Sequence, residues 1–294
     1  GSERWDLVEY SMRLPENFST MTVKELLENE WLVPRKVRHF LRTRKNVKIN
    51  GETAAFHFPV QAGDCVTLTF EETDYVRPTI HLGEATRVKV LYEDEHLMIV
   101  NKPYGIKTHP NQPQETDTLL NHVAAYLAEK NQVPYVVHRL DKETSGAIVF
   151  AKNPFVLPIL GRLLETKQIY RQYQAIVAGH FNQKEQTINQ PIGRDRHDRR
   201  KRRIDPQKGD SAITHVQVVQ ALSNNQTAVT CVLETGRTHQ IRVHLASEGH
   251  PIIGDPLYNP KSQAARLMLH ASQLHLLHPF TKKQIVVTAA PGLW

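Results

Sequence analysis

Val137-His-Arg-Leu-Asp141-Lys-Glu-Thr-Ser145-Gly146 runs directly into Ala147-Ile-Val-Phe-Ala151. A polar segment with one carboxylate and a closing Ser-Gly reads as a loop, and the apolar run after it as a buried strand. A loop hung from a strand can hold a charged group at a cleft edge on a rigid frame. Read alone, an Asp in this setting is more often a turn or cap than a reactive group.

Outward from this stretch, alternating apolar patterns predict strands at 87–91, 97–101, 147–151, 172–178, 212–222, 227–234, 274–277 and 285–289. Helical spacing falls at 117–130, 155–167 and 238–248, with Pro158 marking either a helix start or a kink. Strands paired by hairpins with helices inserted predict an α+β domain over 87–294, built on a mixed, mostly antiparallel sheet.

Residues 12–70 read as a small α/β unit, joined to the rest by an aperiodic linker at 71–86. Thr22-Val-Lys-Glu25 has the form of a capping box, and Pro34 suits the first turn of a second helix with Val37, Phe40 and Leu41 on its apolar face. Asn50-Gly51 after Val47-Lys-Ile49 is a hairpin signal, and Gln61-Ala-Gly63-Asp64 a second turn before Val66, Leu68 and Phe70. No acidic residue lies between Trp31 and Lys48, where Arg35, Lys36, Arg38, Arg42, Arg44 and Lys45 cluster. That face is either a solvated basic helix or a surface for nucleic-acid phosphates.

The composition is that of a globular protein, 40% hydrophobic and 23% charged, with a net charge of +7 that suits a polyanionic partner. No stretch approaches the roughly 18 to 20 apolar residues of a membrane span. The N-terminus shows no apolar signal core, and Gly1-Ser2 reads as a remnant of tag removal. Cys65 and Cys231 sit in separate apolar runs and read as buried thiols of a reducing cytoplasm. Among the histidines, His239 and His244 are spaced off a common helix face, so no metal site is expected.

His138-Arg-Leu-Asp141-x-x-Thr-Ser-Gly resembles the signature of the RluA-type pseudouridine synthases. Asn101-Lys-Pro103-Tyr-Gly105, Gln172-Tyr173-Gln-Ala175-Ile-Val-Ala-Gly179 and Thr235-Gly-Arg237-Thr-His-Gln-Ile-Arg242-Val-His-Leu resemble three further motifs of that family, in the same order. The last continues through Gly249-His-Pro251 and Gly254-Asp255 to Tyr258, and Leu269-His-Ala271 and His278-Pro279 fit the family's end. The 12–70 unit resembles the ribosomal-protein S-four-like RNA-binding module.

The resemblance implies isomerisation of specific uridines in structured RNA, which needs neither a redox partner nor a group donor, so no cofactor is expected. It implies Asp141 as the catalytic carboxylate, acting as nucleophile or as the base for elimination. Arg242 would pair with Asp141 and orient it through charge-assisted hydrogen bonds. Tyr173 would stack on the detached uracil, and Arg139 would enter the space left by the flipped nucleotide. His138 and Leu140 are left to loop packing.

Arg35, Arg38 and Arg42, and Arg199, Arg200 and Arg202 within Arg194-Asp-Arg-His-Asp-Arg-Arg-Lys-Arg-Arg203, are expected on RNA phosphates, the second set on a flexible arm. Two positions depart from the family: Arg171 stands where Lys is usual, and Gly209-Asp210 where Gly-Lys is usual. Both are expected to lie outside the residues assigned to chemistry. The expected partner is structured RNA, ribosomal or transfer, met by a cytoplasmic monomer. Deleting residues 1–70 is expected to weaken RNA binding and to spare turnover at high RNA concentration.

Rival classes fit less well. His138-Arg-Leu-Asp141 overlaps the catalytic loop of protein kinases, but a Leu precedes the Asp and no glycine-rich loop or Asp-Phe-Gly accompanies it. A nucleoside glycosylase would use a similar Asp and would release free uracil. A non-catalytic RNA-binding or ribosome-assembly protein would have no need of Asp141, Tyr173 and Arg242 together.

Overall fold

The computed structural model describes residues 7–292 and Trp294. The reading of Gly1-Ser2 therefore lies outside the described residues. In the N-terminal unit the strands are β1 (Leu7–Arg13), β2 (Met21–Thr22), β3 (Val47–Ile49), β4 (Glu52–Thr53), β5 (Pro59–Val60) and β6 (Cys65–Glu71). Four of them form a sheet in the order β1-β6-β3-β4. β1 was not anticipated, and it begins ahead of residue 12, where the sequence pattern starts the unit.

The capping box forms: Thr22 Oγ1 accepts the Glu25 N–H at 3.1 Å, opening helix α1 (Val23–Glu25). The chain then widens into a π-type turn over Leu26–Glu30, in which the Trp31 N–H donates to the Leu26 carbonyl at 2.9 Å. Pro34 is the N-cap of α2 (Arg35–Thr43), one residue ahead of the turn expected for it. Asn50 and Gly51 both take positive φ, 52° and 86°, as the tight turn between β3 and β4 demands. Cys65 is only half-buried, whereas Cys231 is buried and its thiol is pushed up to about 12 by that burial.

The rest of the chain supplies β7 (Val90–Glu93), β8 (Leu97–Lys102), β9 (Tyr135–Val136), β10 (Ser145–Ala151), β11 (Tyr170–Ala178) and β12 (Glu185–Asn189). β13 (Ile192–Arg194), β14 (Arg202–Ile204), β15 (Ile213–Leu222), β16 (Gln226–Leu233), β17 (Leu269–Leu277) and β18 (Gln284–Thr288) follow. Three helices accompany them: α3 (Leu119–Ala128), α4 (Leu157–Glu165) and α5 (Gln240–Ser247).

One sheet takes the order β12-β15-β16-β11-β17-β10-β8-β7, with β18 paired to β17 and β9 to β10. Its pairings are antiparallel except β10 with β17. The fold is thus α+β with a mixed, mostly antiparallel sheet.

Pro158 falls in the first turn of α4, so the helix starts there and does not kink. The strand expected at 87–91 starts only at Val90, because Ala85–Arg87 coils into a 3₁₀ turn. β17 starts at Leu269, well before 274. Its polar alternates are buried and satisfied: His270 Nδ1 lies 2.7 Å from Ser145 Oγ, and Ser272 Oγ donates to the Gln172 carbonyl at 3.1 Å.

Where β10 runs beside β17, Gly146 has φ +120°, and a Cβ there would lie 2.1 Å from the Ala271 carbonyl oxygen. Only glycine permits that approach.

The central strands are buried on both faces, so their alternation feeds two cores. Met98, Val100, Ile148 and Phe150 pack with Leu140, Tyr173, Leu233 and Ile241. Leu97, Ile99, Val149 and Ala151 pack in the other core, which also takes in Trp31, Val37, Leu41 and Leu68 of the N-terminal unit. Trp31 meets Phe155 and Phe280 edge-on at 5.7 and 5.4 Å, and Tyr10 stacks on Phe155 at 5.7 Å. The Arg162 guanidinium donates to the Asn29 and Glu30 carbonyls.

The segment 71–86 is pinned as well: Arg44 holds Asp74 at 2.9 Å, and the Gly83 N–H donates to the Asn121 carbonyl at 2.8 Å. The N-terminal unit thus shares one of the two main cores with the rest of the chain. No helix among the described residues is long and apolar enough to cross a membrane.

Candidate functional site

The loop between β9 and β10 carries Asp141 to the wall of a cavity of about 990 Å³. Three ties set the loop's shape. Thr108 Oγ1 donates to the Leu140 carbonyl at 2.9 Å and accepts the Leu140 N–H at 3.1 Å. The Thr144 N–H donates to the Asp141 carbonyl at 3.0 Å. Lys102, fully buried at the end of β8, donates from Nζ to the carbonyls of Pro103, Ile106 and Lys142 at 2.9, 2.7 and 3.1 Å. Burial pulls this ammonium down to about 7, against the opposing pull of Asp141 and Glu143. His138 accepts the Val149 N–H on Nε2 at 3.1 Å, so it and buried Leu140 pack the loop as the sequence suggested.

Arg242 comes from α5. Its Nη1 donates to Asp141 Oδ2 at 3.2 Å, while Nε and Nη2 grip Asp255 Oδ2 and Oδ1 at 2.9 and 2.8 Å. Burial works against the charge, but Asp255 and then Asp141 outweigh it and raise the guanidinium above its ordinary value. Asp255 is fully buried, and it also accepts the backbone N–H groups of Leu257 and Tyr258. A planar fork between two carboxylates has no rotational freedom left, so Asp141 Oδ2 is fixed in direction.

The family motif carries no role for Asp255 in the sequence reading. The available signal is a lone carboxylate set within the otherwise uncharged run Pro251-Ile-Ile-Gly-Asp255-Pro-Leu257.

Tyr173 lines the cavity from β11, where Ser272 of the neighbouring β17 is an extra, unpaired residue. Such a bulge re-aims side chains beside it, and Tyr173 stays buried with its phenol raised by that burial.

Arg171 sits two residues earlier on the same strand face and lines the same cavity. It is buried to 8% exposure, and its Nε has no hydrogen-bond partner among the described residues. The departure from the family's Lys therefore lines the pocket beside the residues assigned to chemistry. Arg139 is exposed on the cavity wall, with Nη1 donating to His109 Nε2 at 3.2 Å.

Asp141, Tyr173, Arg242 and Arg139 are thus brought together; Arg35, Arg38, Arg42, Arg199, Arg200 and Arg202 are not among the lining residues. Arg35 and Arg42 are exposed on α2, while Arg38 is half-buried and donates to the Val33 carbonyl at 3.0 Å. The run 194–203 is a hairpin of β13 and β14 and not a flexible arm. Asp195 accepts the N–H groups of His197 and Asp198, Asp198 those of Arg200, and Tyr258 Oη the Arg202 N–H. The two acidic residues that lower the run's charge are what fold its tip. Asp210 is exposed, and its backbone bridges to Ile192 at the foot of the hairpin.

Residues 96–247 match the family model for RNA pseudouridylate synthases, and residues 10–66 match the model for the N-terminal domain of the ribosomal pseudouridine synthase RluD. A Bacillus subtilis protein described as an uncharacterized RNA pseudouridine synthase, YhcT, is 42% identical over 84% of this chain and 82% of its own length. A ribosomal large subunit pseudouridine synthase D from Nitrosomonas europaea is 35% identical over 95% of this chain and 83% of its own. Among solved structures, human RNA pseudouridylate synthase domain containing 1 superimposes with a TM-score of 0.60 at 25% identity, covering 72% of this chain and 86% of that one. The chain belongs to the RNA pseudouridylate synthase family, enzymes that isomerise uridine to pseudouridine.

Proposed function

We propose that this enzyme modifies uridines of large-subunit ribosomal RNA as a cytoplasmic monomer, with Asp141 as its catalytic carboxylate. Residues 87–294 would carry the chemistry, 12–70 would dock RNA, and 71–86 would join them. The observation that carries the catalytic reading is the Asp141–Arg242–Asp255 chain at the cavity wall, since a carboxylate gripped on one oxygen offers the other to a ligand. The ribosomal reading rests on relatives named for the large ribosomal subunit and on the match of residues 10–66.

The reaction breaks the bond between ribose C1′ and uracil N1, turns the ring, and joins C1′ to C5. A proton leaves C5 and one is gained at N1, so atoms and electrons balance within the substrate. The uridine must leave its stack to reach the cavity. Asp141 Oδ1 then faces the ribose and base, either attacking or removing a proton. Tyr173 supports the free ring, and Arg139 fills the gap in the stack with its planar guanidinium. Arg171 offers hydrogen-bond donors beside Tyr173, where uracil carbonyls would fall.

Pseudouridine mapping of total RNA from cells lacking the gene tests the substrate. Loss of sites in large-subunit ribosomal RNA is expected; loss confined to transfer RNA would replace the ribosomal reading.

A further inference from the structure

His239 lines the cavity beside Asp141, three residues before Arg242 at the start of α5, and nothing in the roles above uses it. Its Nε2 lies 4.0 Å from Asp141 Oδ1, the oxygen that Arg242 leaves free. Its backbone is left-handed, with φ 58°, at the N-cap of α5. A non-glycine residue adopts that conformation at a cost, and such positions gather at functional sites.

The ring's other nitrogen is wired. The Arg202 backbone N–H can only donate, and it donates to Tyr258 Oη at 2.8 Å. Tyr258 keeps its proton, because burial pushes the phenol up to about 12. With that oxygen already accepting from Arg202, its hydroxyl hydrogen is placed to go to His239 Nδ1, 2.8 Å away, which makes Nδ1 the acceptor. Neutral His239 then carries its proton on Nε2, facing Asp141. Burial, together with Arg242 and Arg202, lowers the imidazole's affinity for a second proton, against the opposing pull of Asp141 and Asp255.

We infer that His239 is a positioning residue for the reaction: its Nε2–H takes one lone pair of Asp141 Oδ1 when a flipped nucleotide fills the cavity. Arg242 and His239 then orient the carboxylate from both oxygens, and the second lone pair of Oδ1 stays open to the nucleotide. The inference rests on Asp141 being the catalytic carboxylate. Active-site hydrogen bonds that are long in the free enzyme commonly tighten on substrate. The tautomer is set by a backbone N–H of the β13–β14 hairpin, so the basic hairpin and the carboxylate belong to one hydrogen-bonded chain.

The test is single-turnover rate at saturating RNA, with affinity measured separately. His239→Asn tolerates the left-handed backbone but is too short to reach Asp141. Its rate should fall about 10- to 100-fold with affinity within about twofold, since misplacing a reacting group by about 1 Å costs up to about 100-fold. His239→Gln places an N–H donor near the Nε2 position and should recover most of the loss. Tyr258→Phe keeps the ring over Arg242 and removes the hydroxyl that joins His239 Nδ1 to the Arg202 N–H. It should therefore slow the enzyme more with His239 present than in the His239→Gln background, where only the Arg202 bond is left to lose.

A wild-type rate for His239→Asn overturns the inference, as does His239→Gln being equally slow. Additive losses for the Tyr258→Phe pair overturn the tautomer lock. If His239→Asn lowers the urea midpoint, the Tyr258→Phe comparison decides. Asp141→Asn run alongside separates the two layers: its retaining turnover would remove the catalytic reading itself, while its inactivity beside a normal His239→Asn would remove this inference alone.

Discussion

Arginines occupy two opposite settings in this chain. Arg242 is 3% exposed, and all its hydrogen-bonding edges in use point at two carboxylates. Arg35 and Arg42 on α2 stand in solvent, and no carboxylate pairs with either among the described residues. A buried guanidinium between fixed partners acts through geometry, and removing one partner strands a charge away from water. An exposed one acts through long-range attraction that salt screens. Substitutions in the pocket should therefore change rates and stability, and those on α2 only affinity.

The largest effect is expected at the carboxylate itself. Asp141→Asn keeps the shape and one hydrogen bond to Arg242 but removes the charge. Single-turnover isomerisation should fall by more than about a thousandfold, in line with the loss of an essential group that acts as a unit with others, while RNA binding stays within a few-fold. Turnover above that level would break the contrast on its strong side.

Arg242→Met leaves Asp255 fully buried without its cation. Removing one member of a buried pair costs about 3–5 kcal/mol, so urea unfolding should shift by that order along with loss of activity. Arg242→Met with Asp255→Leu should restore much of the stability and none of the activity. Stability lost equally in the double variant would mean that the Leu257 and Tyr258 N–H groups, left without their acceptor, cost as much as the stranded charge.

Much of the pocket was legible because its signals are local. The loop around Asp141 stands between a polar run and the strand Ala147–Ala151, and strand alternation announced β11 and β16. The pairing of Asp141 with Arg242 spans distant segments and came only through resemblance to a family. Lys102 shows what sequence hides: a lysine at a strand end looks solvated, yet three carbonyls enclose it. Strands β12, β13 and β14 are short, polar and half-exposed, so no apolar period marks them. The contact of Trp31 with Phe155 and Phe280 is likewise invisible in either segment alone.

That contact yields a prediction between the two extremes. Trp31→Ala opens a cavity in a shared aromatic core, and large-to-small changes of this type cost about 3 kcal/mol or more. Because the core is continuous from Val37 and Leu68 to Phe155 and Ile285, unfolding followed by intrinsic fluorescence and by circular dichroism should remain one coincident transition at a lower midpoint. Two separate transitions would show that the N-terminal unit folds independently, and would support the expectation that residues 1–70 can be removed without harm to turnover.

The smallest effect belongs to the exposed arginines, and it is read in slope, not in rate. Arg35 and Arg42 project from α2 into solvent, while Arg38 spends an N–H on the Val33 carbonyl. If the first two neutralise phosphates, each releases condensed counterions on binding, and the plot of log affinity against log salt steepens by about 0.7 to 0.9 per contact. Arg35→Gln with Arg42→Gln should therefore flatten that plot by about 1.4 to 1.8 on a structured ribosomal fragment, with the saturating single-turnover rate unchanged. Arg38→Gln should flatten it less, because Arg38 is half-buried whereas Arg35 and Arg42 are exposed. Arg35 and Arg42 are both exposed, and Arg42 lies over the ring of Phe56 at 5.9 Å, so the urea midpoint should move little. An unchanged slope for the double variant would make α2 a merely solvated face and would shift the docking role to the β13–β14 hairpin, where Arg199, Arg200 and Arg202 await the same measurement. A saturating rate that falls with the slope would mean that phosphate docking on α2 helps to set the geometry around Asp141, and the division between the two kinds of arginine would fail.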